Sequence, residues 1–538
     1  MDASTNDRPA LPALATHGSL APSTESLPVP EGGGPLPMAR FGSNAKDLGV
    51  IAAALLIPVA FAVYVLVYGV DVPQLLDWQD IPMVHAALHG HLDVHGLWAQ
   101  YNESRVPAAD LVFIAFGLGD HLNFRALLLF DACTFVASYW ILLVLVRAYK
   151  RAPLSVANVL ILGVAWFSLV DAQNPLLSFM LTWYLLVACF LVMLYLLLAA
   201  PWTPKITVPL ACVAGVIASF SAVQGFLLWP IGIACILWES PWTRSILKRA
   251  TLMLAASITT GALYFNGFDT SNNGCIPSDT CTIGYALHHL DATGRFLLVV
   301  LGSVFPPDYI ITFGSSSASA PTFLVQELIG ALLLALSAVV LFVAVRERKS
   351  SNRIPVPAML ILFALLFASM MSTGRAGLGL RSAIDNNRFV MPGLIMVVGI
   401  IVHFIGHLPG PIHDGTGRRR SILQRAVLGL LLTLLFVQVV ASTQFGLDQG
   451  RSTRTERTNA ARLLTNLDRL SVPAQGCELS QNVFYGFATP ELASSLLNTN
   501  IGYLRTHQLS LFVPAEYAHW RALGLPPLSP GCVPAQKP

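Results

Sequence analysis

The stretch LLSFMLTWYLLVACFLVMLYLLLA, residues 176–199, has no charged residue, no glycine and no proline. At ~1.5 Å of rise per residue, a helix of this length crosses the ~30 Å apolar core of a bilayer. Apolar side chains fall at odd and even positions alike, so the stretch does not read as a barrel strand, which alternates. In lipid the backbone has no water to bond to, and a helix is the local way to satisfy it.

Similar runs recur along the 538-residue chain. By apolar length they fall at 48–70, 124–146, 155–170, 176–199, 206–221, 225–238, 247–265, 323–345, 355–373, 389–407 and 421–442. The fifth and sixth are short enough to form one bent hairpin. Segments 106–119 and 294–305 are apolar but shorter still and read as interfacial or re-entrant helices. The expected fold is therefore an all-α integral membrane protein of about eleven transmembrane helices. Composition agrees: 54% of residues are apolar and 11% charged, with a net charge of +3. Soluble domains carry roughly 25% charged residues. That excludes a soluble enzyme, a nucleic-acid binder or a disordered scaffold for the bulk of the chain.

Basic residues cluster in alternate loops: Arg147, Lys150 and Arg151; Arg244, Lys248 and Arg249; Arg346, Arg348, Lys349 and Arg353; Arg418, Arg419, Arg420 and Arg425. The positive-inside rule makes these loops cytoplasmic. The expected organisation is a disordered cytoplasmic tail (1–45), a transmembrane domain (46–442) with a long first outer loop (71–123), and a small extracytoplasmic C-terminal domain (443–538). The membrane is expected to be the bacterial cytoplasmic membrane. Cys275, Cys281, Cys477 and Cys532 then lie outside, where disulfides persist. Cys275–Cys281 and Cys477–Cys532 are the natural pairs, and four free thiols are the alternative.

The cytoplasmic loops hold no phosphate-binding glycine motif. Residues with chemical potential lie in the outer loops. The first carries Asp77, Trp78 and Asp80, then His85, His89, His91 and His95, then Asn102, Glu103, Ser104 and Arg105. A carboxylate just after a span suits a general base or a metal ligand. A solvated loop acid is the plainer reading of each. The histidines suggest a metal site, although their spacing matches no standard zinc motif. Gln173, Asn174 and Gln224 in later outer loops suit sugar hydroxyls or helix caps. Arg375, Arg381 and Arg388 sit on the side where positive charge is normally avoided, and an anionic ligand such as a phosphate explains them. Pairing with Asp385 or with lipid headgroups is the alternative.

At these residues the chain resembles the GT-C superfamily of polytopic membrane glycosyltransferases. More narrowly, it looks like a bacterial GT-C-like group with an Asn-Glu-His-Arg-type motif in the first outer loop. The matching residues are Asp77-Trp78, the run Trp98-Ala-Gln100-Tyr-Asn102-Glu103-Ser104-Arg105, Gln173-Asn174, Gln224-Gly225, Trp229-Pro230, Gly374-Arg375 and Asn387-Arg388-Phe389. The likeness covers roughly 48–410. It departs at Ser104, where the group has His, and at Phe389, where it has Tyr.

The resemblance implies sugar transfer from a polyprenyl-phosphate donor to an envelope glycan, lipid or protein on the outer face. Asp77 is the first choice of base, Asp80 the second, and Glu103 a further acid, a metal ligand or the partner of Arg105. Arg105, Arg375 and Arg388 would hold the donor phosphate. Trp78, Asn102, Gln173, Asn174 and Gln224 would contact sugar or acceptor. No cofactor is required; a divalent metal is an option. Membrane lipids are expected partners and nucleic acid is not. A lipid-linked glycan transporter or flippase, a glycan polymerase or ligase, and a non-catalytic envelope anchor are the competing readings.

Overall fold

Helix follows helix along the chain in the computed structural model. It describes residues 45–238, 243–270, 278–306, 320–348, 354–385, 387–407, 418–483, 490–529 and 532. The expected tail over residues 1–44 and Cys275 lie outside the described residues. So do the side chains of Asp385, Arg418, Arg419, Arg420 and Arg425.

The first helices are α1 (Ala45–Tyr68), α2 (Asp77–Leu88), α3 (Val94–Leu97), α4 (Pro107–Gly119), α5 (Phe124–Lys150) and α6 (Val156–Trp166). Then come α7 (Leu181–Leu198), α8 (Pro204–Ser219), α9 (Leu228–Leu237), α10 (Arg244–Tyr264), α11 (Ile283–His288), α12 (Leu290–Gly302) and α13 (Ala320–Glu347). The last are α14 (Val356–Arg375), α15 (Leu380–Asp385), α16 (Met391–His407), α17 (Arg418–Thr465), α18 (Val472–Asn482), α19 (Pro490–Thr506) and α20 (Pro514–Ala522). Among the described residues there is no β-strand, only an isolated bridge between Tyr101 and Ser104.

Local chemistry sets several boundaries. Asn123 caps α5 by accepting from the Ala126 amide at 3.0 Å, and α5 ends at Arg151 in the left-handed region, φ 54°. Ser155 and Asn158 form a reciprocal capping box at the start of α6, which satisfies amides the helix itself leaves unbonded.

Among the described residues, seven helices are long and apolar enough to cross a membrane: Asp47–Tyr68, Phe124–Lys150, Ser178–Leu198, Arg244–Tyr264, Phe323–Glu347, Val356–Leu378 and Arg388–His407. The chain is a multi-pass helical membrane protein. The expected runs at 155–170, 206–221 and 225–238 are shorter apolar helices. A 3₁₀ turn at Leu169–Asp171 follows the first of them, and another at Val223–Leu227 separates the second from the third. The run at 421–442 is part of α17, a 48-residue helix that continues without a break to Thr465.

Two apolar cores organise the chain. The larger joins α1, α5 to α10 and α12 to α16. At its centre Phe135 stacks on Trp166 (5.3 Å) and Tyr184 (4.7 Å). The smaller joins residues 70–127 to the C-terminal segment: Trp78, Ile81, Val84, Phe113 and Phe124 pack with Leu463, Leu464, Ile501, Leu504 and Leu511. Polar contacts stitch the same seam. Asn500 Nδ2 donates to the Trp78 carbonyl at 2.7 Å, and Ser510 Oγ donates to Asp71 Oδ1 at 3.0 Å. Described residues between Ala460 and Phe512 therefore share a core with the first long loop.

Cys477 and Cys532 are joined, with Cα atoms 5.5 Å apart across a sequence separation of 55. Cys281 is also disulfide-bonded. A cross-link closing a loop of that length contributes about 2–4 kcal/mol. Cys477→Ser is expected to lower the thermal midpoint of the detergent-solubilised protein by several degrees. Mild reduction of the wild type should reproduce the loss, read by near-UV circular dichroism.

Candidate functional site: an arginine-lined cavity

The residues of the first-loop motif form a tight turn. The Tyr101 amide bonds the Ser104 carbonyl at 2.7 Å, and the Ser104 amide returns a bond to the Tyr101 carbonyl at 2.8 Å. Asn102 sits at φ 49°, a left-handed conformation that Asn adopts more readily than most residues. Glu103 is thereby placed at the tip.

Both shoulders of the turn are held. Gln100 exchanges hydrogen bonds with the Asp269 backbone, at 2.7 and 2.9 Å. The Val223 amide donates to Ser104 Oγ at 3.3 Å, and the Arg105 amide donates to the Tyr264 hydroxyl at 2.9 Å. The Arg105 guanidinium is buried. It lies 5.3 Å from the Trp98 ring and 5.9 Å from the Phe268 ring, and donates to the Gly267 carbonyl at 3.0 Å. It clasps the turn to the end of α10.

Glu103 projects into a cavity of about 370 Å³. Its polar lining includes Asn102, Glu103, Ser104, Gln224, Arg375 and Arg388, and its apolar lining includes Phe179, Trp183, Phe265, Phe268, Met370 and Met371. Glu103 is ion-paired with Arg375. Arg388 lies 5.5 Å over the Phe389 ring, and its Nε has no hydrogen-bond partner among the described residues. Among the described lining residues, two guanidiniums face one carboxylate. The apolar wall lowers local screening, so the excess positive charge favours an anion. Gln224 is buried, with Oε1 unpartnered among the described residues. Its neighbour Gly225 is required by close approach: a Cβ there would lie 2.0 Å from the Ala218 carbonyl oxygen.

Of the residues singled out in the sequence, Asn102, Glu103, Gln224, Arg375 and Arg388 thus meet at one cavity. Asp77, Asp80, Trp78, Arg105, Gln173 and Asn174 do not line it. Asp77 is 1% exposed and accepts from Ser178 Oγ at 2.7 Å and the Gln74 amide at 2.9 Å. Burial pushes its carboxyl up to about 7, against those two bonds. Asp80 accepts from the Tyr101 hydroxyl at 3.1 Å. Burial, then the charges of Asp110 and Asp77, drive it well above the usual carboxylate range. Since Tyr101 itself lines the cavity, Asp80 supports the wall from behind. Trp78 belongs to the smaller core. Asn174 is buried beside Asp171, and Gln173 is half-buried.

The apolar lining from Phe179, Trp183, Phe265 and Phe268 was not among the residues the sequence singled out. The aromatic cluster at the end of α10 was its visible signal. A hard divalent ion takes six or more oxygens. Among the described lining residues Glu103 is the lone carboxylate, and Arg375 occupies it.

No protein-family model matches the chain, and no curated protein matches it.

Proposed function

We propose that the chain is a GT-C-type membrane glycosyltransferase. It transfers a sugar from a polyprenyl-phosphate donor to an envelope glycan, lipid or protein, with its cavity on the extracytoplasmic face. The observation that carries this reading is the cavity: Arg375, Arg388 and Glu103 converge against aromatic walls.

In this scheme Arg388 and Arg375 bind the donor phosphate, and the apolar wall accepts the first part of the polyprenyl chain. Glu103 takes the proton of the acceptor hydroxyl as its oxygen attacks the anomeric carbon. The bond from that carbon to the phosphate oxygen breaks, and polyprenyl phosphate leaves with its added negative charge against the arginines. Asn102 and Gln224 orient hydroxyls. The role first assigned to Asp77 passes to Glu103, because Glu103 is the acid that reaches the cavity. A polymerase or ligase is the same transfer with a longer acceptor.

A second reading, a lipid-linked glycan transporter, draws on Asp131 of α5. Asp131 is 1% exposed, and neither carboxylate oxygen has a hydrogen-bond partner among the described residues. Ionisable groups inside a span are a usual mark of transport.

The deciding experiment supplies purified protein with labelled polyprenyl-phosphate sugars and an envelope extract. Transfer by the wild type is expected, with Arg388→Ala reduced about 10²-fold or more as an anion-stabilising donor is lost. Label crossing a proteoliposome bilayer without transfer, and blocked by Asp131→Asn, would replace the enzyme reading with the transporter.

A further inference from the structure

Away from the cavity, three histidines meet where the first loop joins the C-terminal segment. His85 lies in the last turn of α2, His89 caps that helix, and His507 follows α19. One side-chain nitrogen from each lies within 4.8 Å of the others. His85 Nδ1 is 2.8 Å from His507 Nε2, across 422 residues of sequence.

We propose that His85, His89 and His507 form a binding site for a borderline divalent transition metal, Zn²⁺ in the first instance. The ion would tie α2 to the end of α19. This inference is independent of the glycosyltransferase reading.

The donor set selects the metal class. All three donors are imidazole nitrogens, which suit zinc, copper or nickel. Magnesium and calcium need oxygen ligands, and this cluster supplies none. Three protein ligands leave one position for water or another donor.

The rings are also oriented. His89 Nδ1 donates to the His85 carbonyl at 2.8 Å. That bond holds the proton on Nδ1 and leaves the Nε2 lone pair for a metal, as the outer hydrogen bonds of metal-bound histidines do. His85 stacks on Tyr503, with centroids 3.8 Å apart and planes 12° from parallel, so the ring that bridges the two segments is held by packing. His89 is exposed, whereas His85 and His507 are partly buried, which gives an ion a route from solvent into a partly desolvated site. Without an ion, a single proton can serve the His85–His507 contact.

The helices concerned already pack together through the Asn500–Trp78 bond. An ion there would brace α2, which carries Asp77 and Asp80, without touching the cavity.

The test uses full-length, detergent-solubilised protein, freed of any affinity tag and stripped with a chelator. It is titrated with ZnCl₂ against a chromophoric chelator. Binding of one Zn²⁺ per chain is expected, with Mg²⁺ unable to compete. His89→Ala and His507→Ala should each weaken it by more than the roughly 10–100-fold typical of an outer-shell change. His95→Ala, in the same loop but outside the cluster, should leave it unchanged. Zn²⁺ should raise the thermal midpoint of the wild type and not of His507→Ala. Because His89 is exposed, its variant keeps the test open if His507→Ala folds poorly. Absence of tight Zn²⁺ binding, or binding equally strong in both cluster variants, overturns the proposal.

Discussion

Glu103→Gln is expected to lower sugar transfer by about 10²–10⁴-fold, the range for losing a positioned general base. Glutamine has nearly the same shape and keeps a carbonyl oxygen for Arg375. The turn from Tyr101 to Ser104 is held by backbone bonds and by contacts from Gln100 and Ser104, none of which uses the Glu103 carboxylate. The substitution therefore removes proton acceptance while keeping the fold. The turnover number should fall, and donor KM should change by no more than a few-fold, because Arg388 is untouched. Single-turnover assays with labelled donor separate the two. A fully active Glu103→Gln, with Asp80→Asn inactive but folded, would return the base to α2 acting through Tyr101.

Asp77→Asn is expected to keep transfer activity and to change how stability depends on pH. Burial lifts the Asp77 carboxyl from an ordinary 3.8 to about 7. The folded protein thus holds a proton that the unfolded chain has already released. The associated stability is fully present below about pH 4, declines as pH rises towards 7, and levels off above. The whole change amounts to ~4 kcal/mol at ~1.36 kcal/mol per pH unit. Asparagine does not ionise and can still accept from Ser178 and from the Gln74 amide. Its thermal midpoint should therefore decline less between pH 4 and 7 and exceed the wild type's at pH 8. Asp71 is raised in the same direction, also by burial, to about 7. The difference between wild type and variant, rather than either curve alone, isolates Asp77. A variant curve parallel to the wild type's, measured by thermal unfolding in detergent, would refute the assignment.

The two acids show how far sequence reading reaches. Asp77 and Asp80 are three residues apart, so a helix places them on one face. That much follows from spacing. Whether the face meets the cavity or a core depends on what covers α2, and the cover comes from Ile501 and Leu504, more than 400 residues later. Glu103 looked like one polar residue among several in its loop. It stands out only because Asn102 takes a left-handed conformation and the bridge between Tyr101 and Ser104 turns its side chain into the cavity.

Arg375 and Arg388 were legible because positive charge near that end of the spans needs a reason. Arg105, in the polar cluster of the first loop, was expected beside them at the donor phosphate. It is spent instead on the carbonyl of Gly267 and on the rings of Trp98 and Phe268. The His85–His89 spacing was visible too, but His507 had no sequence link to them.

The sequence by itself determined the helical class and eleven apolar runs, seven of which are the long apolar helices. Those features are local: each run satisfies its own backbone, and its length meets the bilayer without reference to the rest of the chain. Tertiary structure alone decided which polar residues share a cavity, that the C-terminal segment completes the core of the first loop, and that α17 joins the bundle to it in one helix. Those outcomes rest on contacts between segments far apart in the chain. Shape complementarity and the satisfaction of buried polar groups choose among such contacts, and neither is written in the periodicity of any one segment.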